Sequence, residues 1–220
     1  MAVSRYAATV FDLDGTLCQH DQDVEAVFYD AFRAIDCEPV GTPADLWATM
    51  EPITDYDTEA AQLADAITRL AAARDRTLDA QAWTDAFRAR LDWTAVSLLP
   101  GAETALAAAR ANGPVGLLTN GPEERQSTKL AALGLLEAFD TVVYAGDMDR
   151  RKPAPAPFER VLAALGTPAA QTLYVGNSLE HDVAGATRAG LPVAWLGDGS
   201  PGEHAPTHTL GRVDDLAAVF

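Results

Sequence analysis

Two aspartates stand two positions apart in Phe11-Asp12-Leu13-Asp14-Gly15-Thr16-Leu17, directly after the apolar run 7–11. Successive residues of an extended chain point to opposite sides, so a spacing of two can bring both carboxylates to one pocket. Further polar clusters close other apolar runs. Thr119-Asn120 follows 114–118, the stretch Asp147 to Lys152 follows 141–144, and Asn177-Ser178 with Asp182 follows 172–175. Singly, each reads equally well as a turn, a helix cap or a solvated loop charge. Together, the carboxylates, hydroxyl, amide and lysine have the chemistry of a rim around a cation.

The surrounding elements decide whether these clusters meet. Runs 7–11, 114–118, 141–144, 172–175 and 193–196 read as short buried strands. Helical patterns lie between them, from Pro100-Gly101 to 111, then 122–133, 157–165 and 183–189. This alternation predicts right-handed crossovers and a parallel sheet with helices on both faces. Ligands of such sheets sit beyond the carboxyl ends of the strands, where all the polar clusters fall.

Between Asp21 and Trp93 the pattern is helical throughout. Val24, Val27, Phe28, Ala31, Phe32 and Ile35 mark one helix, and Thr42-Pro43-Ala44-Asp45 opens a second as a capping box. Leu63, Ala66, Ile67 and Leu70 mark a third; Trp83, Phe87 and Leu91, started by Asp79, mark a fourth. The expected architecture is α/β: a Rossmann-like core of residues 1–17 and 97–220 with an all-helical insert over 18–96. Phe28, Phe32, Trp83 and Phe87 read as core of the insert. Arg33, Arg88 and Arg90 read as helix-surface charges, with pocket lining as the alternative.

The ordered clusters resemble the motifs of the haloacid dehalogenase-like hydrolases. The stretch from Phe11 to Leu17 is similar to the family's first motif, and Leu117-Leu118-Thr119-Asn120-Gly121 to its second. Lys152-Pro153 fits the third, and Gly176-Asn177-Ser178-Leu179-Glu180-His181-Asp182 the fourth. The insert resembles the helical cap of phosphoglycolate phosphatase-like members.

This resemblance implies a phosphatase acting on a small phosphorylated metabolite. Asp12 would be the nucleophile, forming an aspartyl-phosphate. Asp14 would protonate the leaving oxygen and then deprotonate the hydrolytic water. Mg²⁺ would be the cofactor, held by the Asp12 side chain, the Asp14 carbonyl and Asp182. Thr119, Asn120 and Lys152 would hold the phosphoryl oxygens. The fourth motif commonly carries an acid where this chain has Asn177, whose amide oxygen can ligate a cation without adding charge. Asp14 argues against a carbon–halogen hydrolase, which usually lacks the second aspartate. A phosphomutase of the same family and a non-catalytic or receiver-like phospho-ligand protein remain as alternatives.

Composition narrows the partners. The chain has 220 residues, 48% of them apolar, and a formal charge of −16. Such a charge disfavours nucleic acid, since nothing could neutralise a run of phosphates. No apolar run reaches membrane-spanning length, and the expected location is cytoplasmic. The chain's lysines are Lys129 and Lys152 alone; lysine scarcity with an excess of aspartate resembles proteins of salt-loving microbes. Cys18 and Cys37 read as reduced thiols.

Overall fold

The computed structural model describes residues 5–50, 56 and 58–220. The chain divides into two compact units, residues 1–21 with 93–220 and residues 22–92.

The larger unit is built on a sheet of six strands, all paired parallel. Its strands are β1 (Ala8–Phe11), β4 (Val115–Thr119), β5 (Thr141–Tyr144), β6 (Thr172–Gly176), β7 (Val193–Leu196) and β8 (His208–Leu210). They lie in the order β5-β4-β1-β6-β7-β8, so the strand carrying Asp12 at its end is central. β1, β4 and β6 are buried along their whole length. That is why they read as continuous apolar runs rather than alternating ones. Helices α5 (Ala102–Asn112), α6 (Glu123–Ala132), α7 (Pro155–Leu165) and α8 (Gly185–Arg188) connect them. Two apolar clusters hold this unit together, one around Phe11, Leu106 and Leu117, the other around Val10, Phe158 and Tyr174.

The larger unit departs from expectation in three places. β8 adds a sixth strand that its short, polar-flanked sequence does not announce. An antiparallel pair, β2 (Cys18–His20) with β3 (Val96–Leu98), leaves the sheet beside Asp14. This pairing places 18–21 and 93–96 in the core unit, so the helical insert runs from Gln22 to Asp92 and not over 18–96. The helix expected at 183–189 starts earlier. A π-helical segment spans Leu179–Ala184, and Ser178 caps it by accepting from the His181 amide at 3.1 Å.

The smaller unit contains α1 (Val24–Ala34), α2 (Pro43–Thr49), α3 (Glu59–Ala72) and α4 (Ala80–Arg88). Each begins at a side-chain cap, with Asp23, Thr42, Thr58 and Asp79 accepting from amides of the first turn, as the sequence predicts at Thr42 and Asp79. At α2 the box is reciprocal, because Asp45 also accepts from the Thr42 amide at 2.9 Å. Phe28, Phe32, Trp83 and Phe87 form its aromatic core, with Trp83 and Phe87 stacked at 5.1 Å. Among the described residues, no helix is long and apolar enough to cross a membrane.

Candidate active site

The first loop is fixed by its own backbone. The amides of Thr16, Leu17 and Cys18 all donate to the Leu13 carbonyl, at 3.2, 2.9 and 3.1 Å. Gly15 turns the chain with φ +76°, and a Cβ there would lie 2.5 Å from the Asn177 amide nitrogen. Only glycine fits both demands. The turn delivers the Thr16 hydroxyl to Asp12 Oδ2 at 3.1 Å and to Asn177 Oδ1 at 3.3 Å. The first and fourth motifs, more than 160 positions apart, thus share one hydroxyl.

Lys152 is the hub of the site. Its Nζ donates to Asp12 Oδ1 at 2.7 Å, Asp182 Oδ1 at 2.7 Å, the Tyr174 hydroxyl at 2.9 Å and the Leu118 carbonyl at 3.1 Å. Asn120 holds the lysine from behind, accepting from its amide at 2.8 Å and donating to its carbonyl at 3.0 Å. One cation between two carboxylates cannot neutralise both. Burial, reinforced by Asp182 and Asp14, pushes the Asp12 carboxyl up to about 6 although Lys152 opposes the shift. Burial alone would lower the pKa of Lys152; Asp12 and Asp182 outweigh it and raise the value. Burial and the same two acids also lift the Tyr174 phenol well above its usual range, so it stays neutral and donates to Asp182 at 2.9 Å.

Asp14 faces a second set of partners. Lys129 Nζ lies 2.6 Å from its Oδ1, and Gln126 Nε2 lies 2.7 Å from its Oδ2. Gln126 Nε2 also reaches Thr119 Oγ1 at 2.6 Å, tying Asp14 to the end of β4. Burial would raise the Asp14 carboxyl, but Lys129, Gln126 and Arg125 together hold it below the usual range. Gln126 and Lys129 are both buried polar residues of α6.

A metal ion here would meet an all-oxygen donor set, which suits a hard cation such as Mg²⁺. Thr16 gathers Asp12 Oδ2 and Asn177 Oδ1 around one hydroxyl, so a carboxylate and an amide oxygen stand together. Asp182 is committed elsewhere. Its Oδ2 accepts from the Ser178 amide at 2.9 Å, and its Oδ1 accepts from Lys152 and Tyr174. In this arrangement Asp182 is the counter-charge of Lys152 and not the cap of a helix starting at Val183. Among the described residues, no group of three or more histidine, cysteine or acidic side chains forms a metal-holding cluster. The residues fit Mg²⁺ as a lightly charged site centred on Asp12.

Reading motifs one at a time overlooked Thr16, Gln126, Lys129 and Tyr174. The usable signal for Lys129 was its rarity, since both lysines of the chain lie at the site. Tyr174 sits inside a strand pattern and looks like any core aromatic. Other candidates have structural roles. Asp147 accepts from the Glu123 amide at 2.7 Å at the start of α6, Arg33 pairs with Asp30, and Arg90 donates to the Ala86 carbonyl at 2.8 Å. Cys18 is buried, and burial with nearby Asp14 pushes its thiol up to about 12, so it is unreactive.

Residues 6–190 match the family model of the haloacid dehalogenase-like hydrolases. The chain is 36% identical over 208 residues to a phosphoglycolate phosphatase of Cereibacter sphaeroides, spanning 91% of this chain and 88% of that one. It is 37% identical over 124 residues to a phosphoserine phosphatase of Thermus thermophilus, 56% of this chain and 50% of the other. The structure of a predicted phosphoglycolate phosphatase from Haemophilus somnus superposes with a TM-score of 0.76 at 20% identity, covering 99% of both chains.

Proposed function

The chain belongs to the haloacid dehalogenase-like hydrolases, and from that membership we propose that it is a Mg²⁺-dependent phosphatase acting on small phosphate monoesters through an aspartyl-phosphate on Asp12. The observation that carries this reading is the placement of Asp12. It closes the central strand, is buried, and keeps one oxygen on Lys152 while Asp14 stands two residues on.

Asp12 attacks phosphorus, the new O–P bond forms as the ester O–P bond breaks, and Asp14 delivers the proton to the departing oxygen. Lys129 opposes that protonated state of Asp14. An incoming phosphate dianion works the other way, because a like charge beside a carboxylate favours its neutral form. Once the alcohol has left, the ionised Asp14 takes a proton from the water that attacks the phosphorus of the intermediate. Lys152, the Thr119 hydroxyl and the Asn120 amide offset charge on the phosphoryl oxygens. Mg²⁺ would be held by Asp12, the Asp14 carbonyl and Asn177, while Asp182 stays the counter-charge of Lys152, and when bound it would reduce the repulsion between phosphate and carboxylates.

Release of phosphate from p-nitrophenyl phosphate should depend on added Mg²⁺ and stop on chelation. Silence on this ester and on a panel of phosphorylated acids, sugars and nucleotides would overturn the proposal. Phosphoglycolate and phosphoserine belong first on that panel, because relatives are named for them.

Asn177 makes a separate prediction. Replacing its neutral amide by a carboxylate adds a charged ligand beside Asp12, and ligand charge sets affinity at such sites. Asn177→Asp should tighten Mg²⁺ binding by about tenfold in calorimetric titration of the protein alone. Unchanged affinity would leave Asn177 as a partner of Thr16 and nothing more.

A further inference from the structure

Gln126 is a fully buried amide on α6 whose hydrogen bonds are lopsided. Its Nε2 donates to Asp14 Oδ2 at 2.7 Å and to Thr119 Oγ1 at 2.6 Å. Its Oε1 is buried with no hydrogen-bond partner among the described residues. An orphaned buried acceptor is destabilising, and an apolar side chain at this position would avoid it. The backbone nearby is also shaped around the amide. A Cβ on Gly121, two residues past Thr119, would lie 2.4 Å from Gln126 Cδ.

Resting on the phosphatase reading, we infer that Gln126 is a positioning residue: its NH₂ group reserves the Thr119 hydroxyl hydrogen for a phosphoryl oxygen and fixes the orientation of the Asp14 carboxylate.

The argument is a count of hydrogens and lone pairs. A hydroxyl has one hydrogen to give and two lone pairs to receive. The Gln126 Nε2 and the Gly121 amide both donate to Thr119 Oγ1, at 2.6 and 3.3 Å. With both lone pairs taken, the hydroxyl's own hydrogen is its remaining capacity. An NH₂ group offers no acceptor in return, so Thr119 cannot spend that hydrogen on Gln126. A phosphoryl oxygen brought to the end of β4 is then the acceptor it serves.

The same NH₂ group faces Asp14. An ionised carboxylate only accepts, which fixes the NH₂ end of the amide on that side. Lys129 holds the other carboxylate oxygen at 2.6 Å. Both oxygens of Asp14 are thereby anchored to α6, and each keeps a further lone pair for the proton it must carry. One amide thus sets the hydroxyl that meets phosphorus and the carboxyl that meets the leaving oxygen.

The test uses two variants. Gln126→Met removes both donors, and Gln126→Glu keeps the shape while replacing the NH₂ group by an acceptor. The p-nitrophenolate of p-nitrophenyl phosphate departs without a proton, so its kcat/KM reports on Thr119. The alkyl phosphate of the panel that turns over fastest reports on Thr119 and Asp14 together. Gln126→Met should lose at least about tenfold in kcat/KM on the aryl ester and about a further tenfold on the alkyl ester. Gln126→Glu should be at least as damaging on both, because its oxygen captures the Thr119 hydrogen and repels Asp14. In a Thr119→Ala background, Gln126→Met should cost about twofold or less on the aryl ester, since the hydroxyl it orients is gone. Thermal melts check that rates are compared between folded proteins. If Gln126 only fills space, its loss depresses both esters by one factor and adds in full to that of Thr119→Ala, and that result overturns the inference. An active wild type matched by Gln126→Met also overturns it, while the phosphatase reading stands. A wild type inert on every ester overturns both.

Discussion

Asp12→Asn should reduce turnover by at least about four orders of magnitude, the scale seen when a covalent nucleophile is removed, while leaving the fold at least as stable as wild type. An amide oxygen cannot form the aspartyl-phosphate, and nothing else on β1 can substitute. The stability half follows from the electrostatics. Burial, Asp182 and Asp14 raise the Asp12 carboxyl from an ordinary 3.8 to about 6. A carboxyl whose folded value lies above its unfolded value favours folding when protonated. Its contribution is therefore full below pH 3.8 and lost as pH rises to about 6. At neutral pH the ionised group is a burden that asparagine removes, so the melting temperature of Asp12→Asn should equal or exceed that of wild type. The same carboxyl must be ionised to attack. The wild-type kcat/KM should rise with pH along a limb at or below about 6, since a bound cation only moves it downward. Steady-state rates and thermal melts measure all of this, and activity within tenfold of wild type would reject Asp12 as nucleophile.

Lys152→Met should be as damaging to activity and far worse for stability. Lys152 is 4% exposed and bridges Asp12 and Asp182, both also buried. Removing it leaves two carboxylates facing each other without a counter-charge, and breaking such buried pairs costs about 3–5 kcal/mol. For a domain of this size that lowers the melting temperature by about 10 °C. The lysine's raised folded pKa carries the same sign: its contribution is present below the ordinary 10.5 and is lost at higher pH. Adding Asp182→Asn to Lys152→Met should recover part of the stability and none of the turnover. That combination separates the lysine's electrostatic role in the fold from its role at phosphate. If Lys152→Met melts with wild type, the bridge between Asp12 and Asp182 does not govern stability, and Lys152 is no hub.

Much of this site was legible before any coordinates. Asp12, Thr119, Asn120 and Asn177 each follow an apolar run, and a buried parallel strand can end in polar residues only where it leaves the core. Sheet order then makes neighbours of β4, β1 and β6 and brings those strand ends together. Helix starts in the smaller unit were equally plain, because a cap acts within a few residues of itself and leaves a local trace at Thr42 and Asp79.

The rest depends on contacts that have no period and no local trace. β2 and β3 are three residues each, and their sequences lie more than seventy positions apart; only their pairing moves 18–21 and 93–96 into the core unit. Asp182 looks like a ligand or a cap by spacing. It becomes the partner of Lys152 because both are buried, and a buried charge must find an opposite one. Lys129 has no motif around it, yet it lies 2.6 Å from Asp14 across 115 positions. The sequence by itself determined the α/β core, the helical insert and the order in which reactive groups reach one edge of the sheet. These follow from periodicity and from strand ends, which short-range physics dictates. Only the tertiary structure decided which charge sits against which, because Coulomb pairing in a desolvated pocket depends on distance in space and not on separation along the chain.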